Sequence, residues 1–410
     1  MASPRRYNEK PISLIRWRWI GKNARGQRIK GHLVASSRQE VEALLRNQRI
    51  AVSSIRRKGK VGRGLGRITQ RDIMLFARQM ATMISAGLPV LQAFEVVAES
   101  LRKPAMSALV QRLMNDVAAG ASFTEALRQH PQHFDKLFCN LVNAGEQSGT
   151  LDSMLERLAQ YKEKIESLKA RVKKAMWYPT AVILVGLGVT ALLLIKVVPQ
   201  FESMFAGFGA ELPAATQFTI RLSELAQAYW WKSLALTAGV ILLLRWRMRA
   251  SPALTYRVHA LLLRLPVLGN ILLKSTLARF ARTLSTTFAA GIPLIEALET
   301  SAGSAGNRVY ERAVTDVRDS VAEGQRIQLA MRMTERFPPL MVQMVGIGEE
   351  SGALDTMLDR VASYYEEEVD NLVDSLTSLI EPFIIVFLGT LVGGLVVSMY
   401  LPIFELGTVL

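Results

Sequence analysis

Cysteine, histidine and every familiar nucleotide or metal motif are scarce or missing in this chain of 410 residues. Cys139 stands alone, so no internal disulfide can form, and its ordinary role is that of a small buried apolar residue. Two of the four histidines, His130 and His133, flank Pro131 without a third ligand, a pattern of a helix end and loop rather than a metal site. No Gly-x-x-x-x-Gly-Lys-Ser/Thr loop occurs, and Gly21-Lys22 and Gly59-Lys60 lack the context of one. A His-Glu-x-x-His zinc motif and a Ser/His/Asp arrangement are missing as well. The reading is a chain that is not an enzyme and uses no cofactor and no metal. Its first 20 residues are Arg-rich but have no apolar run long enough for a cleavable signal.

What is abundant is apolar and basic. Half of the residues are hydrophobic, and the mean hydropathy of +0.19 is high for a soluble protein. The excess sits in a few runs, which indicates a membrane protein with sizeable aqueous domains. A net charge of +15 fits nucleic-acid binding, or lysines and arginines that face the cytoplasm and its anionic leaflet. Because the basic residues flank the apolar runs, the second is preferred.

The chain repeats. Gly145-Glu146-Gln147-Ser148-Gly149-Thr150-Leu151-Asp152 returns 203 positions on as Gly348-Glu349-Glu350-Ser351-Gly352-Ala353-Leu354-Asp355. Phe76-Ala77-Arg78 matches Phe280-Ala281-Arg282, Gly87-Leu88-Pro89 matches Gly291-Ile292-Pro293, and Pro179 and Pro199 match Pro382 and Pro402. So long a period excludes a solenoid and implies a duplicated domain. Thr69 opens the first copy as a helix N-cap with Asp72 in the first turn, Gly87 stops that helix, and Pro89 starts the next. Each copy reads as an all-α bundle of five or six helices.

The expected fold is mainly α: two homologous cytoplasmic helical bundles, three transmembrane helices and a small N-terminal α/β module. Residues 1–55 form the module, with a hairpin turning at 21–26, a helix from Ser37 that carries Val41, Leu44 and Leu45, and a closing strand 51–55. Residues 56–67 are a basic Gly-rich linker without an acidic residue. The first bundle is 68–178 and the second lies in a cytoplasmic segment 245–381. Apolar segments 179–199 and 382–402 are spans, separated by a periplasmic loop 200–227 and a weaker span 228–244, which Lys232 interrupts; 403–410 is a periplasmic tail. Parity supports the weaker span, because two homologous bundles on one side need an even number of crossings between them. Arg245, Arg247 and Arg249 after it, against Arg221 alone in the loop, put the N-terminus inside and the C-terminus outside.

In the duplicated Gly-Glu-x-Ser-Gly stretch a glycine ends one helix, Ser-Gly makes the turn and a new amphipathic face follows at Leu151, Leu155 and Leu158. Glu146 and Glu349 either cap helices there or meet a partner or a cation. The helices entering the outer spans differ in charge: Lys162 to Lys174 is basic, whereas Glu366 to Asp374 is acidic. These are two solvated faces, or they attract one another within a chain or between copies, with Arg171 aligned on Asp374.

Several stretches together carry a resemblance: Phe76-Ala77-Arg78-Gln79-Met80-Ala81-Thr82-Met83, the two Gly-Glu-x-Ser-Gly segments, Lys196-Val197-Val198-Pro199-Gln200-Phe201, Tyr364-Tyr365-Glu366-Glu367-Glu368 and Tyr400-Leu401-Pro402-Ile403-Phe404. Through them the whole chain resembles the PilC/GspF family, inner-membrane platform proteins of type IV pili and type II secretion. Asn23-Ala24-Arg25-Gly26-Gln27-Arg28-Ile29-Lys30-Gly31 and Leu406-Gly407 lean to the pilus branch. The resemblance implies a multi-pass protein of the bacterial inner membrane, a homo-oligomer in contact with lipids. It further implies that the bundles engage extension and retraction ATPases, and that the membrane part receives major and minor pilins beside inner-membrane alignment proteins. No catalytic residue carries over. The partner-contact candidates are Glu146, Ser148, Glu349 and Ser351 in the two turns, the basic linker, and Arg171 and Asp374 on the charged helices. A type II secretion platform is the alternative; a transporter built on parallel repeats is remote, since the spans line no polar path.

Overall fold

The computed structural model describes residues 15–22, 28–35, 38–47, 51–60, 68–206 and 213–409. The chain divides into two compact units, Met1–His133 and Phe134–Leu410. That boundary falls inside the stretch 68–178 read from sequence as one bundle.

In the first unit, β1 (Ile15–Lys22), β2 (Arg28–Ala35) and β3 (Ala51–Lys60) form an antiparallel sheet in the order β2-β1-β3. The helix α1 (Arg38–Asn47) follows β2, and Trp19, Val41 and Leu45 make the small core with Trp17, Val52 and Ile55 packed against it. The expected linker is shorter than 56–67. Arg56, Arg57 and Lys60 pair with Arg18, Trp17 and Ile15, because the strand ladder continues while partners remain on β1. Residues 61–67 and the turn 23–27 lie outside the described residues.

Helices α2 (Gln70–Ser85), α3 (Val90–Ser100), α4 (Pro104–Ala118) and α5 (Phe123–Arg128) complete this unit. Thr69 caps α2 through a reciprocal box with Asp72, whose carboxylate also takes Lys103 Nζ at 2.6 Å. Gly87 ends α2 at φ +83°, open to glycine without strain, and Pro89 is the N-cap of α3. Phe76, Phe94 and Phe123 are fully buried, with Phe94 edge-on to Phe123 at 5.0 Å.

The second unit begins with α6 (Lys136–Ser148) and α7 (Leu151–Leu192). A π-helical turn, Leu193–Val197, leads into α8 (Val198–Ala206). Pro199 explains that turn: it lacks an N–H and crowds the carbonyl four residues back, so the helix widens before it. Then follow α9 (Ala214–Ala250), α10 (Pro252–Leu263), α11 (Leu268–Ala289), α12 (Leu294–Ser304), α13 (Arg308–Ala322), α14 (Ile327–Met333), α15 (Pro339–Ser351) and α16 (Leu354–Val409). Each sequence repeat thus contributes six helices, α2–α7 and α11–α16.

Among the described residues two helices are long and apolar enough to cross a membrane, one within Leu151–Met204 and one over Ile384–Pro402. Each belongs to a helix, α7 or α16, that starts in the bundle. The prolines 179, 382 and 402 sit inside helices rather than ending them, and the expected tail 403–409 is helical. Within the expected loop 200–227, the described residues 200–206 and 214–227 are helical. Residues 228–244 lie in one unbroken helix, α9, with every side chain from 227 to 247 exposed, but α9 is not one of those two, its apolar run being interrupted by Lys232 and followed by Arg245 and Arg247. The first half of α9 packs where the outer ends of the two spans meet: Leu194, Val198, Ile220 and Met399 form an apolar cluster. Thr216 donates to the Ser398 carbonyl at 2.6 Å, and Ser223 donates to the Leu194 carbonyl inside the π turn, so buried polar backbone is satisfied by hydroxyls.

Candidate functional site

The duplicated turns are built alike to fine detail. α6 ends at Ser148 with Gly149 left-handed at φ 71°, and α15 ends at Ser351 with Gly352 at φ 71°. The helix therefore ends at the second glycine of each motif, not the first. Gly145 and Gly348 are buried inside their helices, where an added Cβ would stand 2.9 Å from the Cα of Leu151 and of Leu354. They let the next helix leave at close quarters. Ser148 and Ser351 each donate back into their own helix at 2.7 Å, to the carbonyls of Ala144 and Ile347.

Glu349 acts as a cap, across helices rather than at its own. Its two carboxylate oxygens accept the backbone N–H groups of Ile327 at 3.0 Å and Gln328 at 3.3 Å, at the start of α14. Arg326 stands over it and pairs with Glu350 at 2.9 Å. Glu146 is half-buried at the matching place on α6.

The charged helices are brought together. α7 and α16 meet through Leu168, Val369 and Val373 with Ile271 of α11, and Val172 and Leu372 fill in around them. Arg171 bonds Asp370 at the flank of this seam, one turn before the expected Asp374, which is exposed. The seam decides the register: the apolar residues at 168, 369 and 373 set which turn of α16 lies beside Arg171. A groove of about 350 Å³ opens next to it, lined by Glu163, Lys164, Ser167, Arg171, Glu366 and Asp370. Of the basic run, Lys162 is not solvated: its stem is buried and its ammonium sits 2.5 Å from Asp135, the N-cap of α6.

A stronger lock escaped the sequence reading. Arg282 on α11, only 4% exposed, holds Glu366 through two N–H groups at 2.9 Å, Ser363 at 2.9 Å, and Asp359. Burial disfavours the guanidinium charge, but the bonds to Glu366 and Asp359 win and hold its pKa above the usual arginine value. Lys274, two turns before Arg282 on α11, pairs with Glu368 of α16. Beside them the Tyr161 hydroxyl on α7 bonds Thr283 of α11 at 3.0 Å, and burial pushes that phenol up to about 12. The one signal for Arg282 in sequence was the repeated Phe-Ala-Arg; its acceptors lie 77 to 84 residues downstream, beyond any local pattern.

Among the described residues no group of three His, Cys, Asp or Glu side chains could hold a metal. The site is a set of helix joints that fix two long arms relative to a bundle.

Comparison with known proteins agrees with that architecture. The family described as "Type II secretion system (T2SS), protein F" matches twice, over residues 76–199 and 280–402, and its N-terminal domain matches residues 12–56. The chain belongs to the type II secretion protein F family. Among its curated relatives, a type IV pilus assembly protein TapC of Aeromonas hydrophila is 48% identical over 99% of both chains. A type IV pilus assembly protein PilC of Pseudomonas aeruginosa is 52% identical over 90% of this chain and 99% of its own. Members named for the other machine are more distant: a type II secretion system protein F of Aeromonas hydrophila is 36% identical over 82% of this chain and 86% of its own. Within the protein F family this chain therefore groups with pilus-assembly members.

Proposed function

We propose that this chain is the inner-membrane platform of a type IV pilus machine, coupling cytoplasmic extension and retraction ATPases to pilin polymerisation and depolymerisation without catalysis of its own. The observation that carries it is the near-full-length identity to pilus-assembly relatives, well above that to the secretion relative. The arms support the mechanism: α7 and α16 run from the locked bundle into the apolar spans without a break at the joint, so movement of the bundle is carried into the membrane.

In this reading α9 is a third span. A helix whose residues 227–247 are exposed all round, Leu234, Leu236 and Val240 to Leu244 included, is stable only against lipid or another apolar partner. Three crossings leave the N-terminus and both repeats in the cytoplasm and the C-terminus in the periplasm. The partners are the two ATPases, major and minor pilins, inner-membrane alignment proteins, further copies of the chain, and lipid. The turns with Glu146, Ser148 and Ser351, and the groove beside Arg171, are the surfaces offered to them, whereas Glu349 holds α14 in place. Complementation tests the branch. In a pilus-bearing host lacking its own platform, the chain restores surface fibres and not secretion of type II substrates; the reverse outcome assigns it to the secretion machine.

A further inference from the structure

Between Glu224 and Glu296 the chain has no carboxylate at all. Arg245, Arg247, Arg257 and Arg264 in that stretch make no ion pair among the described residues. The stretch also contains a built apolar corner. α10 buries none of its residues although it is largely Leu, Val and Ala, while α11 after it is deep in the bundle. The two together have the composition of a span, yet they turn by 114°. At 12 residues α10 is about 18 Å long, too short to cross a hydrocarbon core of about 30 Å.

The corner is held from every side. Ser251 closes α9 and caps α10, and Thr255 Oγ1 donates to the Met248 carbonyl of α9 at 2.7 Å. The Arg308 N–H at the start of α13 donates to His259 Nδ1 at 3.0 Å. Beyond α10 the turn runs through Pro266 and Val267 at φ +65°, a strained angle for a β-branched residue. It closes so tightly that a Cβ on Gly269 would stand 2.3 Å from the Leu263 carbonyl oxygen. What this fixed elbow turns outward is Leu261, Leu262, Leu265, Val267 and Leu268, and Arg257, Leu261 and Arg264 fall at helical spacing on one exposed face.

We propose that the elbow 252–268 lies in the cytoplasmic leaflet, its leucines at the headgroup–acyl boundary and Arg257 and Arg264 on anionic lipid headgroups. Continuity argues for lipid, since α10 is tied to the last turns of α9, just after its exposed stretch 227–247. Charge argues for it too: Arg257 and Arg264, which make no ion pair among the described residues, flank the apolar surface, and Glu311 of α13 beside His259 is already paired with Arg308, so the surface is complementary to an anionic interface. The elbow then anchors the second repeat to the bilayer through α13 and α11. The inference rests on α9 being a span.

The test uses the full chain in nanodiscs of phosphatidylcholine, alone or mixed with phosphatidylglycerol, carrying an environment-sensitive fluorophore on L236C, L261C or M333C; the buried Cys139 stays unlabelled. Quenching by acyl-chain doxyl lipid is expected to be several-fold stronger at 261 than at the exposed 333, to rise with phosphatidylglycerol, and to fall in the R257E/R264E variant while 236 is unchanged. Quenching at 261 no greater than at 333, with 236 quenched, overturns the elbow and leaves the span standing. A label at 261 shielded from aqueous iodide yet untouched by doxyl lipid means a protein covers the corner, and also overturns it. No quenching at 236 sinks the span and the elbow with it.

Discussion

The hairpins α6/α7 and α15/α16 share a backbone and, near the turn, the charges of Glu146/Glu349, Asp152/Asp355 and Arg157/Arg360, but farther out they differ. Both close on a left-handed glycine at φ 71°, and both pass a buried glycine against the first residue of the next helix. The outgoing helices then part company. Lys162 on α7 is buried against Asp135, while its repeat counterpart on α16 is Tyr365, buried without an ion pair, with Pro338 where Asp135 stands. Further out, Arg171 meets Asp370, so the divergence has made the arms complementary. The turn is under geometric constraint that glycine meets, whereas no such constraint holds the positions that carry the unlike charges. Two copies of one hairpin have become unlike halves of a single seam.

Removing Arg282 is the largest way to break that comparison. Arg282→Ala leaves Glu366 facing a cavity, and a broken buried pair costs about 3 kcal/mol, read as a lowered Tm in detergent. A change no larger than that of Lys164→Ala, on the exposed face of α7, would mean that the lock does not bear on the arms. Gly145→Ala and Gly348→Ala come next, each costing about 1–3 kcal/mol by overpacking. Their costs should agree, and one tolerant site would show that the turns are not equivalent.

Asp135→Ala strips a half-exposed partner from Lys162 and the cap from α6, for about 1–2 kcal/mol. Installing the other hairpin's residues together, Lys162→Tyr with Asp135→Pro, should recover most of the lost stability, since the second copy manages without the pair. The smallest effect is at the seam's rim. Arg171→Asp or Asp370→Arg alone should cost about 0.5 kcal/mol, less in high salt, and the double reversal should restore it. No rescue would detach Arg171 from Asp370.

Much of this was legible in the sequence because it is local. Thr69 with Asp72, Gly87 before Pro89 and the hairpin of the N-terminal module each act within a few residues, and the structure follows them. The same punctuation gives five or six helices per repeat, and the structure has six. What stayed hidden depends on distant partners. Asp370 in place of Asp374 follows from apolar packing between α7 and α16, and the Arg282 acceptors lie on α16, five helices later in the chain. Gly145 was misplaced as a helix end because close helix approach and helix termination both select glycine. The candidate contact residues divide similarly: Glu349 is committed inside the fold, Ser148 and Ser351 bond their own helices but stay exposed at the turns, and the groove beside Arg171 is a surface that sequence named only through its charges.

The central claim, that the bundles receive motor motion and the paired arms carry it, is tested most directly by binding. The full-length chain in nanodiscs is mixed with each pilus ATPase of its host, with and without nucleotide. The account predicts binding that changes with nucleotide and weakens when Arg171 and Asp370 are both replaced by alanine. Binding indifferent to nucleotide, or no binding by either ATPase, would contradict it and leave a membrane scaffold without a link to the motor.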